Sequence, residues 1–143
     1  MKYLLCLCFA LGASLPILPL TSSAEDTREI QGIWLPISAE LAGQPFPEAI
    51  LKTITLRLDQ GNYEALVAGQ SDKGTYTLDP AAHPKSITVI GTEGPNKGKT
   101  FLAIYTFDGD ILRICYDLSG AKRPEEFKTL PDTALYLVTY QRK

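Results

Sequence analysis

Gln31-Gly32-Ile33-Trp34-Leu35 is the stretch that decides the fold of this 143-residue chain. It holds the single tryptophan of the sequence, two residues after a glycine, within a run of residues typical of a β-strand. The sequence that follows reads as short strands and turns, and no segment keeps a helical period over about ten residues. A tryptophan at the start of such a chain predicts a plug at one end of a small barrel.

The residues before this stretch are typical of an export signal. Lys2 supplies a positive start, residues 3–20 are almost wholly apolar, and Ser22-Ser23-Ala24 offers the small residues of a cleavage site. We therefore expect residues 1–24 to be a signal peptide and residues 25–143 to form one domain, exported to the periplasm or beyond.

A retained N-terminal anchor is the alternative to a cleaved signal. Pro16 and Pro19 interrupt the apolar run, whereas a membrane span needs roughly 20 apolar residues. We therefore expect no transmembrane segment in the mature chain.

The net charge and the cysteine content show which partners and which stabilising bonds the sequence disfavours. The chain has 14 basic and 16 acidic residues, and loss of Lys2 with the signal changes the net charge from −2 to −3, which predicts no nucleic-acid partner. Cys115 is the only cysteine outside the signal, so an internal disulfide is excluded. It lies in an apolar run and is expected to be buried rather than to link two copies.

Alternation of apolar and polar residues predicts eight strands, as in Ile54, Leu56 and Leu58, which share one face. The strands are Ile30–Ser38, Thr53–Asp59, Asn62–Ala68, Thr75–Leu78, Ser86–Ile90, Thr100–Phe107, Asp110–Tyr116 and Ala134–Arg142. We expect Gly69–Gly74 to be a polar turn and Asp108-Gly109 to form a type I′ hairpin turn.

Eight sequential strands allow either a sandwich or a closed barrel. A Greek-key sandwich needs long crossovers, and only Asp117–Thr133 is long enough. The sequence therefore predicts an all-β fold, an eight-stranded antiparallel up-and-down barrel in which the first strand pairs with the last and no edge is left.

Several short motifs carry a family resemblance. In chain order they are Gln31–Trp34, Gly94–Thr100, Ile104-Tyr105, Asp108–Asp110, Leu112–Cys115, Arg123-Pro124 and Phe127. In this order and spacing the chain resembles the lipocalin-like domain family found largely in planctomycete bacteria, over about residues 29–143. The resemblance implies a calycin-type, lipocalin-like barrel and little about activity.

The likeness to true lipocalins is confined to the first motif and the last strand. Gly32 and Trp34 match that motif, and Arg142 is placed to stack on the tryptophan as a structural cation–π contact. The Thr-Asp-Tyr motif and the disulfide of lipocalins are missing.

Two motifs suggest ligand chemistry but fail in detail. Gly94–Thr100 departs from a phosphate-binding loop because Glu93 stands where a glycine is needed and a strand follows, so a solvated glycine-rich hairpin is expected. Asp108, Asp110 and Asp117 lack the spacing of a calcium loop.

Catalytic chemistry has little support in the sequence. His83 is the only histidine, which leaves zinc sites and histidine-dependent nucleophilic catalysis without a second partner. Convergence of Glu40, Asp59 and Glu64 in the fold stays open. We expect no metal site, no cofactor and no enzymatic activity.

Tyrosines on the predicted strands are the candidate ligand-binding residues, and those chosen are Tyr63, Tyr76, Tyr105 and Tyr116. Facing inward, they would line a cup for a small hydrophobic or amphipathic ligand, framed by residues 39–51 and 117–133. The alternative is that they only pack the core of a filled barrel, which would then bind an envelope protein through its loops. A cavity larger than about 300 Å³ would favour the ligand-binding protein.

Overall fold

The fold is a closed antiparallel β-barrel, seen in a computed structural model that describes residues 22–143. Within residues 22–143 there are two helices and nine strands, in chain order α1 (Ser22–Glu29), β1 (Gly32–Leu41), β2 (Gln44–Pro45), α2 (Glu48–Leu51), β3 (Ile54–Asp59), β4 (Asn62–Val67), β5 (Gln70–Asp79), β6 (Ser86–Glu93), β7 (Thr100–Asp108), β8 (Ile111–Asp117) and β9 (Leu135–Arg142). Strands β3 to β9 pair with their chain neighbours, and β9 pairs back with β1. The predicted all-β, eight-stranded up-and-down barrel is confirmed; β2 is a short extra arm on β1.

The predicted signal peptide, residues 1–24, falls largely outside the described residues. Only Ser22–Ala24 are described, and they begin α1. In the part of the chain from residue 22 onward, no helix has the length and apolar character that a membrane crossing requires.

Two turn predictions were wrong. Residues 70–74 are not a turn but the start of β5, because Ala68 and Gly69 alone reverse the chain at φ +51° and +81°. The β7–β8 hairpin turns at Gly109-Asp110, one residue later than predicted. Only Gly109 has a positive φ there, which fits a type II′ turn rather than type I′.

Apolar and polar side chains alternate along the strands, and the apolar ones form the core as the sequence predicts. On β3, Ile54, Leu56 and Leu58 are buried, whereas Arg57 and Asp59 are exposed. The inward side chains of all eight barrel strands form one cluster inside the barrel.

One end of the barrel, here called the closed end, is sealed by the tryptophan and by α1. Trp34 is fully buried, and its Nε1 donates a hydrogen bond to the Ile30 carbonyl at 2.8 Å. Asp26 of α1 is buried and accepts hydrogen bonds from Tyr105 Oη at 2.6 Å and Lys85 Nζ at 2.9 Å. The opposite, open end carries the connections between β1 and β3, β4 and β5, β6 and β7, and β8 and β9.

The long connection between β8 and β9 covers the outside of the barrel. Arg123 donates hydrogen bonds to the carbonyls of Ile87 and Ala103 at 2.8 and 2.7 Å. The connection also covers Cys115, whose Sγ lies 3.6 Å from the Lys128 carbonyl. Cys115 is fully buried, as predicted, and burial raises the pKa of its thiol.

Candidate functional site

A cavity of about 460 Å³ occupies the barrel interior towards the open end. One part of its wall is aliphatic. It comes from the inner faces of β3, β6 and β8 and includes Leu56, Ile87 and Ile114. The barrel is therefore not filled by its own side chains. The pattern of strand alternation predicts which residues face inward, but not how much space they leave.

Aromatic rings form the second part of the wall. They are Tyr63, Tyr76, Phe101, Tyr116, Tyr136 and Tyr140. The rings of Tyr116 and Tyr136 stack at a centroid distance of 5.7 Å, and the ring of Phe46 also stacks with that of Tyr136 at 5.6 Å. Phe46 precedes α2, so the connection between β1 and β3 supports this wall from the open end.

The four tyrosines chosen from the sequence separate in the structure. Tyr63, Tyr76 and Tyr116 line the cavity. Tyr105 does not; its ring points into the closed end, where its hydroxyl bonds Asp26. The structure therefore separates Tyr105 from the other three, because alternation determines the face of a strand but not the depth in the barrel.

Tyr136 and Tyr140 line the cavity although the sequence did not single them out as ligand-binding residues. Both lie on β9, where Tyr136, Val138 and Tyr140 alternate inward. That alternation was the signal that could have identified them.

The cavity tyrosines are held in their neutral form. Burial raises the pKa of Tyr136 to about 12. Burial, together with neighbouring phenols, also raises the pKa of Tyr116 and Tyr140 well above the ordinary value. Their hydroxyls therefore serve as hydrogen-bond donors and acceptors at neutral pH, and not as bases.

Asp72 is the acidic side chain of the cavity wall, and it is 9% exposed. Its carboxylate accepts hydrogen bonds from Tyr63 Oη at 3.1 Å, from Asn96 Nδ2 at 2.9 Å and from the Asn96 backbone N–H at 3.1 Å. Burial and the Asp72 charge raise the pKa of Tyr63. Asp72 and its donors form a fixed polar group in an otherwise apolar wall.

Glycines make room for this polar group. A Cβ on Gly74 would lie 2.5 Å from Tyr63 Cε1 and 1.9 Å from the Ile90 carbonyl oxygen, so only glycine lets the tyrosine ring lie there. A Cβ on Gly94 would lie 3.0 Å from the Cα of Asp72. The connection between β6 and β7 can therefore fold onto β5 and bring Asn96 to the carboxylate.

The connection from Gly94 to Lys99 was expected to be a solvated hairpin. Its lysines are exposed, as expected, but Pro95, Asn96 and Lys99 also border the cavity at the open end. The hydrogen bonds that hold it reach across 24 residues of sequence to Asp72. Nothing in the local composition predicts such a contact.

The Tyr76 hydroxyl is a second polar group of this wall. Among the buried side-chain nitrogen and oxygen atoms of residues 22–143, it is the one without a hydrogen-bond partner. Burial raises the pKa of this phenol, and the Gly61 backbone and the Asp59 carboxylate, at the turn between β3 and β4, also act on it, so the hydroxyl lies towards the closed end.

The carboxylates whose convergence was left open do not meet at the cavity. Asp59 and Glu64 border a shallow groove outside the barrel with Arg57 and Lys73, and Glu40 accepts a hydrogen bond from Thr129. His83 is exposed in the connection between β5 and β6. Within residues 22–143, no three His, Cys, Asp or Glu side chains are grouped as a metal site would require.

Comparison with known proteins supports the fold. No family model and no curated protein matches the sequence. A crystal structure of a DUF4847 family protein from Bacteroides vulgatus matches with a TM-score of 0.52 at 11% identity, over 83% of this chain and 97% of that one. At this identity the likeness shows a shared barrel fold alone, and the resemblance to the planctomycete family stays a prediction.

Proposed function

We propose that this chain is an exported, non-enzymatic binding protein that holds a small hydrophobic or amphipathic ligand in its barrel. The cavity of about 460 Å³ is the observation that carries the proposal. Small-molecule sites in proteins commonly have volumes of about 300–1,000 Å³, with mostly apolar walls and a few fixed polar groups. The wall described above has this composition, and the leader pattern of residues 1–24 supports export.

The alternative drawn from the sequence is a protein that binds an envelope protein through its loops. That alternative requires a barrel filled by its own side chains. A filled interior would leave the tyrosines in contact with one another and with the aliphatic wall. The cavity between them instead leaves their free faces without protein contacts, which favours the ligand-binding proposal.

Native mass spectrometry on the mature protein purified from its own host tests the proposal. We expect an additional mass of a small molecule that disappears on denaturation. The same preparation should bind N-phenyl-1-naphthylamine, a neutral apolar dye, with an increase in fluorescence. A ligand-free mass together with failure to bind the dye would overturn the proposal.

A pair of variants on β4 locates the binding. Ala65 lies in the cavity wall, whereas its neighbour Leu66 is 38% exposed on the outer face. Ala65→Trp should fill the cavity and abolish dye binding, and Leu66→Trp, which adds the same ring outside, should leave it unchanged. Equal dye binding by the two variants would contradict a site inside the barrel.

A further inference from the structure

The charge of the cavity wall distinguishes between classes of amphipathic ligand. Among the described residues that line the cavity, Asp72 and Lys99 are the two that carry charge. Asp72 is buried, whereas Lys99 is exposed at the open end, where water and salt screen its charge. The interior is therefore dominated by one negative group.

The Asp72 carboxylate has neutral partners only. No lysine or arginine nitrogen in the described chain forms an ion pair with it; the ion pairs are made by other acidic residues. Its three hydrogen-bond donors are a phenol, an amide N–H and a backbone N–H. A carboxylate offers about four acceptor sites, so about one remains for a ligand.

Six aromatic rings surround the same space. The face of an aromatic ring carries partial negative charge and attracts cations, and proteins that bind quaternary or methylated amines use such cages. The raised pKa values of the tyrosines leave their rings neutral, so the rings add no full charge. A buried carboxylate in the wall of a cavity that is lined by aromatic rings favours a cation and disfavours a fatty-acid anion.

From this arrangement we infer that the ligand is an organic amine, with its cationic nitrogen at Asp72 among the tyrosine rings and its apolar part against the aliphatic wall. The inference rests on the proposed binding function and specifies its ligand class. Tyr63 and Asn96 position the carboxylate, and Gly74 and Gly94 give them the space to do so.

Three probes with the same ten-carbon chain test the inference: decylamine, decan-1-ol and decanoate, each in competition with N-phenyl-1-naphthylamine at neutral pH. We expect decylamine to bind at least about tenfold more tightly than decanoate, with decanol between them. Decanoate binding as tightly as decylamine would overturn the inference, whatever any variant shows.

The decanol result separates this inference from the proposed function. If decanol binds and the amine has no advantage over decanoate, the amine inference fails and the binding function stands. If the dye binds and none of the three probes competes with it, the amine inference fails and the binding function stands. If neither the dye nor any probe binds and the native mass is ligand-free, both fail.

Asp72→Asn keeps the shape of the side chain and removes its charge. We expect the preference for decylamine over decanoate to fall to about twofold or less, while decanol affinity stays the same. The control is Asp108→Asn, which removes one exposed negative charge at the closed end and should keep the wild-type preference. A folded Asp72→Asn variant that retains the full amine preference would contradict the assigned role of Asp72.

Discussion

The guanidinium carbon of Arg142 lies 4.2 Å from the centroid of the Trp34 ring. The same guanidinium donates hydrogen bonds to the carbonyls of Glu29 and Gln31 at 2.6 and 2.7 Å. Arg142 ends β9, and Trp34 lies on β1, so this contact joins the last strand to the first where the barrel closes. The stacking expected from the sequence is present in the structure.

Replacing Arg142 by methionine should destabilise the protein by about 2–3 kcal/mol. The change removes a cation–π contact of about 0.5–2 kcal/mol and leaves two backbone carbonyls without their donor. Urea denaturation followed by tryptophan fluorescence measures the loss. The control is Arg57→Met on the outer face of β3, where the side chain is exposed. Equal effects of the two changes would show that the contact with Trp34 contributes nothing.

The sequence predicts the barrel because the patterns that specify it lie within single strands and the turns next to them. Two-residue periodicity places Ile54, Leu56 and Leu58 on one face, and short turns leave little choice of strand order. Depth along the barrel is different, since it depends on the stagger between strands. Tyr105 and Tyr116 both face inward, but Tyr105 lies near the β7–β8 turn and Tyr116 near the other end of β8, so they are at opposite ends of the barrel.

Contacts between residues far apart in the sequence were also not predicted. Asp72 appears in the sequence as one polar residue of a supposed turn, yet its donors come from Asn96, and the space for them depends on Gly94. The role of Asp26 was missed because the residues next to it read as the end of an export signal. Its partners, Tyr105 and Lys85, are 79 and 59 residues away.

The bond between Asp26 and Tyr105 should hold α1 against the closed end. Each single change, Asp26→Asn or Tyr105→Phe, is expected to cost about 1–3 kcal/mol in unfolding free energy, because it weakens a buried charge-assisted hydrogen bond. The double variant should show a coupling energy of at least about 0.5 kcal/mol. Equilibrium urea denaturation of the four proteins gives this value.

A second cycle controls for general effects of these changes. It combines Asp26→Asn with Tyr116→Phe, whose phenol lies in the cavity wall far from α1. Their effects should add within about 0.3–0.5 kcal/mol. Additivity in the first cycle as well would mean that the 2.6 Å contact carries no free energy of its own.

Gly74→Ala should destabilise the protein by about 3 kcal/mol or more, because the new Cβ meets both backbone and the Tyr63 ring. Since the ring must move, the variant should also lose affinity for N-phenyl-1-naphthylamine. Gly98→Ala is the matched control: its φ of +80° costs about 1–2 kcal/mol, but no atom lies within 4 Å of its Cβ. A Gly74→Ala protein as stable as Gly98→Ala would contradict the packing of Tyr63 on β5.

Alkaline titration tests the environment of the tyrosines. Burial raises the pKa of Tyr63, Tyr76, Tyr105, Tyr116, Tyr136 and Tyr140 above the ordinary value of 10.0. The mature native protein should therefore form less tyrosinate near pH 10 than the unfolded protein, and Tyr136, with a pKa of about 12, should not ionise before that region. Ultraviolet absorbance of tyrosinate, compared with the same protein in concentrated guanidinium chloride, measures the difference.

The same shifts determine how stability depends on pH. In the unfolded chain the phenols lose protons near pH 10.0, whereas in the folded protein they keep them, so the folded state binds more protons above that pH. The contribution of these phenols to the unfolding free energy should therefore be constant below about pH 9 and should fall as the pH rises through 10 and above. Urea midpoints measured across this range give the slope. A midpoint that does not change above pH 10, or a native phenol that titrates reversibly at its ordinary value, would contradict a barrel interior closed around these tyrosines.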